Sequence, residues 1–308
     1  MISYVAEIAR KYLWPGLAPT ACRPGTVRTA IQFFKPLAIH VHEKPYICEC
    51  DVRHVEGAKK TNVEFEKRGV DVHDVRGNEA RFTLERNGFE IVQHQSALSR
   101  NDFRARETVE EKYLPECEEM VRRYYGAERV IVINWIVRHD HRGTPRKYKG
   151  TYMPVTAAHV DQTQKALLSR LVQQVGKEEA ENISSTRRYL IVNVWRPLSD
   201  PVMNYPLGFC DLQTVKPEDC TPVDLVKTDS YEGENLYLRY SPQHRFYYLS
   251  KQRPHEVLLL RMAESDPEHP GRVYQGVPHA AFPLPPCRPG DTAPPARESI
   301  EVRILVVV

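Results

Sequence analysis

Proline limits the folds open to this chain more than any other residue type: 24 of the 308 residues are Pro, against only 15 Gly. Pro fixes φ and has no backbone N–H, so it is confined to turns, sheet edges and first helical turns. Spread among segments rich in Val, Ile and Tyr, it cuts the chain into short apolar runs joined by rigid turns. That pattern predicts a mainly β barrel or sandwich with a few flanking helices. Scarce Gly excludes collagen and Gly-rich linkers. The length suffices for one sizeable core, and 41% hydrophobic with 27% charged residues is ordinary globular usage. No apolar run approaches the roughly 20 residues of a membrane-spanning helix.

Charge narrows the partners. The 43 Lys and Arg are nearly balanced by 40 Asp and Glu, and the two signs interleave along the chain. A nucleic-acid surface would concentrate the positive charge, so neither nucleic acid nor membrane is expected as a partner. Seven scattered Cys without a C-x-x-C pair point to reduced thiols and a cytoplasmic location. Glu7, Arg10 and Lys11 interrupt the opening apolar residues, so no secretory signal is expected. The remaining partner class is a small-molecule substrate, and homo-oligomers are compatible with this composition.

Periodicity suggests one domain over 1–308 with a β-rich amino-terminal part (1–107), and a lid is expected from residues 60 to 105 together with the 138 to 150 loop. Residues 108–308 then carry helices and a β core. A short helix is expected at 2 to 13. LAIHVH, YICECDVRHV and VDVHDV alternate as strands, and Asn87-Gly88 inside ARFTLERNGFEIVQH signals a hairpin turn. Thr108 to Tyr125 has helical spacing, with Tyr113, Cys117, Met120, Val121 and Tyr124 on one face and Pro115 as either a kink or the true first turn. A second helix follows His159, its core stripe being Leu168, Leu171, Val172 and Val175. RVIVINWIV, RYLIVNVW, LYLRYS, HRFYYLS, EVLLLRM, the PHAAF segment and SIEVRILVVV read as strands.

G-x-G-x-x-G, Walker, G-x-S-x-G and H-E-x-x-H motifs are all missing, which removes dinucleotide dehydrogenases, P-loop enzymes, typical α/β-hydrolases and zincins. His159-Val160-Asp161 stands out. In an extended segment, residues two apart share a side, so an imidazole and a carboxylate can face one metal. His279 offers a second imidazole. Two His and one carboxylate, with positions left open, form the ligand set of non-haem Fe(II) oxygenases. On the closing strand Arg297, Ser299, Glu301 and Arg303 share one face, and a guanidinium beside a hydroxyl suits the far carboxylate of a dicarboxylic acid.

Lesser candidates have blander readings. Asn193 and Arg196 flank Trp195 and can meet co-substrate, although Arg196 is equally a structural cation; Tyr152 is more often core than ligand. His40 with His42, and His139 with His141, lack further ligands and read as surface or loop residues. Cys48 and Cys50 read as free thiols on a strand. Phe82, Leu84, Phe89 and Phe246 are candidate pocket-lining residues.

H-x-D, a distal P-H and R-x-S on the last strand resemble the Fe(II)/2-oxoglutarate-dependent dioxygenases. NVWRP (193–197), PLGFCD (206–211), HRFYY (244–248), PHAAF (278–282) and RESIEVR (297–303) are similar to the hydroxylase/desaturase family of fungal and bacterial secondary metabolism, with gibberellin-desaturase-like and cephamycin-hydroxylase-like members. The similarity runs from about residue 70 to the end. It implies a double-stranded β-helix, or jelly roll, with His159, Asp161 and His279 on Fe(II) and with O2 and 2-oxoglutarate as co-substrates. Arg297 and Ser299 would hold the 2-oxoglutarate tail. The 18-residue gap from His279 to Arg297 exceeds the usual spacing and keeps Arg303 as a rival anchor. The implied reaction is hydroxylation, desaturation or cyclisation through ferryl hydrogen abstraction, releasing succinate and CO2. Two alternatives are a cupin-like metal enzyme without 2-oxoglutarate and a degenerate jelly-roll binding protein; neither requires an intact triad together with R-x-S.

Overall fold

A computed structural model describes residues 25–140, 152–226, 232–265, 274–284 and 294–308. The helix expected at 2 to 13, His141 with most of its loop, and most of the Pro-rich insert before Arg297 lie outside the described residues.

Two sheets face each other. The larger has nine strands in the order β1 (Thr26–Lys35), β3 (Glu64–Asp74), β11 (Phe246–Tyr248), β8 (Leu207–Cys210), β14 (His279–Ala281), β6 (His159–Val160), β10 (Glu232–Leu238), β9 (Cys220–Val226) and β2 (Tyr46–Cys48). The second runs β13 (Tyr274–Gln275), β12 (Glu256–Ser265), β7 (Tyr189–Pro197), β15 (Glu298–Val307) and β5 (Arg129–His139), with β4 (Phe89–Gln93) also pairing β12. The larger sheet is mixed: β3–β11 and β2–β9 are parallel, its other pairs antiparallel. Three helices flank the sheets: α1 (Leu114–Tyr125), α2 (Gln164–Val175) and α3 (Lys177–Thr186).

The six-stranded sheet is covered on both faces, which is why its strands read as near-continuous apolar runs. Ile191, Trp195, Leu258, Leu260, Leu305 and Val307 point between the sheets, against Phe89, Val160 and Phe209. Their neighbours Val192, Val194, Leu259, Ile300, Val302 and Ile304 point outward, against Val109, Tyr113, Cys117 and Val121 of the α1 region.

Several local readings need correction. LAIHVH is a 3-10 turn (Ala38–Val41) in which His40 Nδ1 accepts from the Leu37 N–H at 3.1 Å and Nε2 donates to Asn62 O at 3.0 Å. His40 is therefore a fully partnered structural histidine. Of YICECDVRHV only Tyr46–Cys48 is a strand, and Cys48 and Cys50 are free thiols. Asn87-Gly88 ends a helical turn instead of joining two strands: Thr83 Oγ1 caps Leu84–Asn87, and Gly88 at φ +79° closes it. A Cβ on Gly88 would lie 2.4 Å from Leu212 Cδ1, so both space and backbone require glycine. Thr26–Lys35, which the sequence places in a Pro/Gly loop running to about Pro36, is instead a ten-residue strand paired throughout with β3. That pairing puts residues 64–74 of the expected lid in the main sheet.

Pro115 lies in the first turn of α1, the second of the two expected readings. A π turn over Val109–Tyr113 precedes it, and this wider turn accommodates a ring that would otherwise strike the carbonyl four residues back. In α2 the buried stripe is Ala166, Leu167 and Leu171, while Leu168 and Val172 are 46% and 37% exposed; the expected stripe was rotated by one residue. The α3 helix, unassigned from sequence, opens with Glu178 and Glu179 in its first turn, where the helix dipole favours acids.

An ion pair near the start of β12 helps tie the two sheets together. Arg76, just after β3, engages both carboxylate oxygens of Glu256 at the start of β12, and the Arg253 N–H adds a 2.8 Å bond. Burial alone would raise the Glu256 pKa, but Arg76 and that N–H hold it below the usual range. Its stabilisation is thus complete above the unfolded-state pKa, about 4.3, and is lost as pH falls through the lower folded value. Glu256→Gln should lower the urea midpoint at pH 7 and flatten its decline below about pH 4.5; midpoint curves parallel to wild type would refute this.

Candidate metal centre and co-substrate pocket

Strand register brings the site together. β6 is a two-residue strand between β14 and β10, and its pairing sets His279 directly opposite His159, with ring centroids 4.5 Å apart. Asp161, two residues on, turns its carboxylate to the same side. One ligand atom from each of His159, Asp161 and His279 lies within 4.8 Å of the others, and all three residues are buried. His159 Nε2 is 3.4 Å from Asp161 Oδ1, and His279 Nε2 is 4.0 Å from Oδ2.

The far side of each imidazole fixes its tautomer. His159 Nδ1 lies 2.9 Å from Ala157 O, and His279 Nδ1 lies 3.0 Å from Val277 O. A carbonyl only accepts, so each Nδ1 carries the proton and each Nε2 presents a lone pair to the cluster, as metal-ligating histidines do. Burial and the neighbouring His159 lower the His279 pKa, which keeps that imidazole neutral. Burial pushes the Asp161 pKa up, but the Arg303 guanidinium and the polar groups around the carboxylate outweigh it and hold the carboxyl well below the usual range. Nε2 atoms aimed inward from two carbonyl-anchored imidazoles, beside an ionised carboxylate, are the ligand set that a divalent cation needs.

The second sheet closes the site from the other side. Asn193 Nδ2 donates to Asp161 Oδ2 at 2.6 Å, and Arg303 Nε donates to the same oxygen at 3.1 Å. Arg303 also donates to Glu301 Oε1 (2.6 Å) and Asn134 Oδ1 (3.1 Å). Tyr237 pairs with His159 across β10–β6, its ring 6.0 Å away; burial and then the Asp161 charge push its pKa up to about 12, so it stays a neutral phenol.

Arg297 and Ser299 lie further along the same face of the closing strand. Arg297 is 1% exposed, donates to Tyr205 O at 2.8 Å and stacks 5.5 Å from the Trp195 ring. Ser299 is fully buried, and among the described residues its Oγ has no hydrogen-bond partner; Asn193 Oδ1 is in the same position. Burying a hydroxyl unpaired costs about 1–3 kcal/mol, so such atoms mark where a polar ligand belongs. The donor set and these orphaned atoms fit a bound cation with an oxygen-rich co-substrate beside it.

Other candidates fall elsewhere. Arg196 faces outward from β7: it donates to Tyr113 Oη (2.8 Å), His94 O (2.9 Å), His94 Nδ1 (2.6 Å) and Pro254 O. Its contacts dock the α1 region on the sheet, which corrects the co-substrate reading. Arg196→Met is expected to cost about 2–4 kcal/mol of unfolding free energy by stranding those acceptors, with an unchanged 2-oxoglutarate titration; a weakened titration at unchanged stability would contradict this. Tyr152 is 57% exposed beside β5 and is a rim residue. Phe82 and Phe89 pack with Phe209 and Tyr247 between the sheets, but Leu84 lies under α1 and Phe246 packs on Phe33, in separate layers. Asn134 and Tyr237 escaped the sequence reading. Asn134 had one visible signal, an amide inside the apolar run RVIVINWIV.

A jelly roll closed around two imidazoles and a carboxylate offers the ligand set of a non-haem metal oxygenase. The comparisons agree. A family model described as Oxidoreductase/YMDC permease-like domain matches residues 31–307. The chain is 31% identical over 257 residues to the Fe(II)/2-oxoglutarate-dependent dioxygenase nvfI of Aspergillus novofumigatus, covering 81% of this chain and 87% of that one. It is 28% identical over 306 residues to the hydroxylase/desaturase efuI of Hormonema carpetanum, covering 93% and 96%. The solved structure of the iron and alpha-ketoglutarate-dependent endoperoxidase NvfI superposes with a TM-score of 0.77 at 26% identity, covering 92% of this chain and 98% of that chain. The chain belongs to the Fe(II)/2-oxoglutarate-dependent dioxygenases, within the group that includes these hydroxylase/desaturases. Its cofactor is Fe(II), with 2-oxoglutarate and O2 as co-substrates. This membership favours the dioxygenase over a 2-oxoglutarate-independent cupin or a degenerate binding protein.

Proposed function

We propose that His159, Asp161 and His279 hold the iron, that Arg297 and Ser299 hold the far carboxylate of 2-oxoglutarate, and that the substrate is a small secondary-metabolite skeleton that is hydroxylated, desaturated or cyclised in the cytoplasm. The observation that carries this reading is the pair of carbonyl-locked imidazoles aimed with Asp161 at one point. Bound there, Fe(II) supplies dioxygen activation, with 2-oxoglutarate as the co-reductant that leaves as succinate and CO2. The chain's own contribution is placement. Ala157 O and Val277 O orient the imidazoles, Asn193 and Arg303 hold Asp161, and Trp195 with Tyr205 O presents Arg297. The burial of all these groups excludes water from a step in which a stray proton or solvent would divert the oxidant. Arg303 already serves Asp161, Glu301 and Asn134, while among the described residues the Ser299 hydroxyl has no partner, which favours Arg297 with Ser299 as the anchor.

The test is succinate formation by the purified protein with Fe(II), 2-oxoglutarate and O2 across a panel of small secondary metabolites. One or more should stimulate succinate release and return a product that has gained an oxygen or lost a hydrogen pair. Succinate release that no member of the panel stimulates, and no altered product, would sink the substrate assignment.

A further inference from the structure

The face of the closing strand that meets Asp161 carries more charge than an iron site requires. β15 lies between β5 and β7, and register places Arg303 directly opposite Asn134 on one side and Asn193 on the other. The three side chains form one polar rung across the sheet. A bulge beside Arg303 on the β5 side fixes the local twist at this rung, as bulges near functional groups often do. Asn193 and Arg303 both donate to Asp161 Oδ2, so that oxygen's lone pairs are used and Oδ1, on the His159 side, is left for the metal.

Arg303 poses an electrostatic problem, because a guanidinium held against Asp161 cancels the negative charge that would attract a divalent cation. Glu301, 3% exposed and 2.6 Å from Arg303 Nη2, reverses this. Asp161 and Glu301 together outweigh Arg303 and leave the trio one net negative charge. We propose that Asn193 and Arg303 are positioning residues that restrict Asp161 to one-oxygen coordination, and that Glu301 is a charge-compensating residue that preserves metal affinity without touching the metal. The inference rests on the reading of His159, Asp161 and His279 as the metal ligands.

The test uses the full chain and Co(II) as the probe, with affinity and ligand-field spectrum as readouts. Glu301→Gln leaves Asp161 and Arg303 with no net charge between them and should weaken Co(II) binding about 10- to 100-fold, the range typical of partners behind the ligands. Glu301→Asp keeps the charge and should bind within about threefold of wild type. The double variant Glu301→Gln/Arg303→Met restores one net negative charge and should bind more tightly than Glu301→Gln alone. Asn193→Ala frees one bond to Oδ2 and should alter the Co(II) spectrum. Urea midpoints verify that each variant is folded; should Glu301→Gln not fold, the double variant Glu301→Gln/Arg303→Met against Arg303→Met alone carries the comparison, the double variant being expected to bind Co(II) more weakly and an equal affinity overturning the role of Glu301. Wild-type affinity in Glu301→Gln, or a double variant no tighter than Glu301→Gln, overturns the inference while the triad stands. Co(II) binding that survives His159→Ala unchanged overturns the triad reading and the inference with it.

Discussion

His159→Ala and His279→Ala should each purify without stoichiometric iron and lose turnover by at least about three orders of magnitude, since the metal carries the chemistry that no side chain supplies. Both residues present Nε2 to the cluster with Nδ1 committed to a backbone carbonyl, so neither ring can turn to substitute for the other. Tertiary structure should survive, because removing one imidazole leaves the strand pairing of β6, β10 and β14 in place. The control is His73→Ala: His73 lies on β3 with its Nδ1 3.2 Å from Thr26 Oγ1, and its loss should leave iron content and turnover at wild-type levels. Metal analysis and initial rates decide the matter; a His159→Ala protein that keeps iron and turnover would remove the basis of the site assignment.

Arg297→Ala should raise the KM for 2-oxoglutarate about 30- to 150-fold, equivalent to about 2–3 kcal/mol for hydrogen bonds to a charged group, while iron affinity stays intact. At saturating 2-oxoglutarate kcat should recover most of its wild-type value, because the proposed anchor would meet the far end of the acid and not the reacting carbons. Ser299→Ala should shift the same KM by less, as a neutral hydroxyl contributes about 1 kcal/mol. Arg303→Met is expected to disturb the metal centre first, since Arg303 bonds directly to Asp161. If Arg303→Met instead raised the 2-oxoglutarate requirement with metal binding untouched and Arg297→Ala did nothing, the anchor would be Arg303.

Much of this architecture was legible because its signals are local. β5, β7, β12 and β15 announce themselves as apolar runs, and they are apolar throughout because one face meets the opposite sheet and the other meets α1. His159 and Asp161 were legible as a pair because two residues in an extended segment share a side. What stayed hidden depends on distant partners. Nothing near His279 says that it will pair opposite His159, since that register is set by β8 and β14 across the sheet. Asn87-Gly88 has hairpin chemistry, yet Thr83 caps a helical turn before it and β4 finds its partner in β12. The roles of Arg196 and Arg303 could not be separated by sequence, because both sit in strands buried on both faces. Only the packing shows that Arg196 serves the helix side and Arg303 the metal side.

The central claim, that the triad holds Fe(II) with 2-oxoglutarate bound beside it, is tested most directly by optical titration under argon. Adding 2-oxoglutarate to the Fe(II)-loaded protein should produce a visible charge-transfer band that saturates at one equivalent per chain, is missing from His159→Ala, and reappears in Arg297→Ala only at much higher 2-oxoglutarate. No band in iron-loaded wild-type protein, or an equal band in His159→Ala, would contradict the claim.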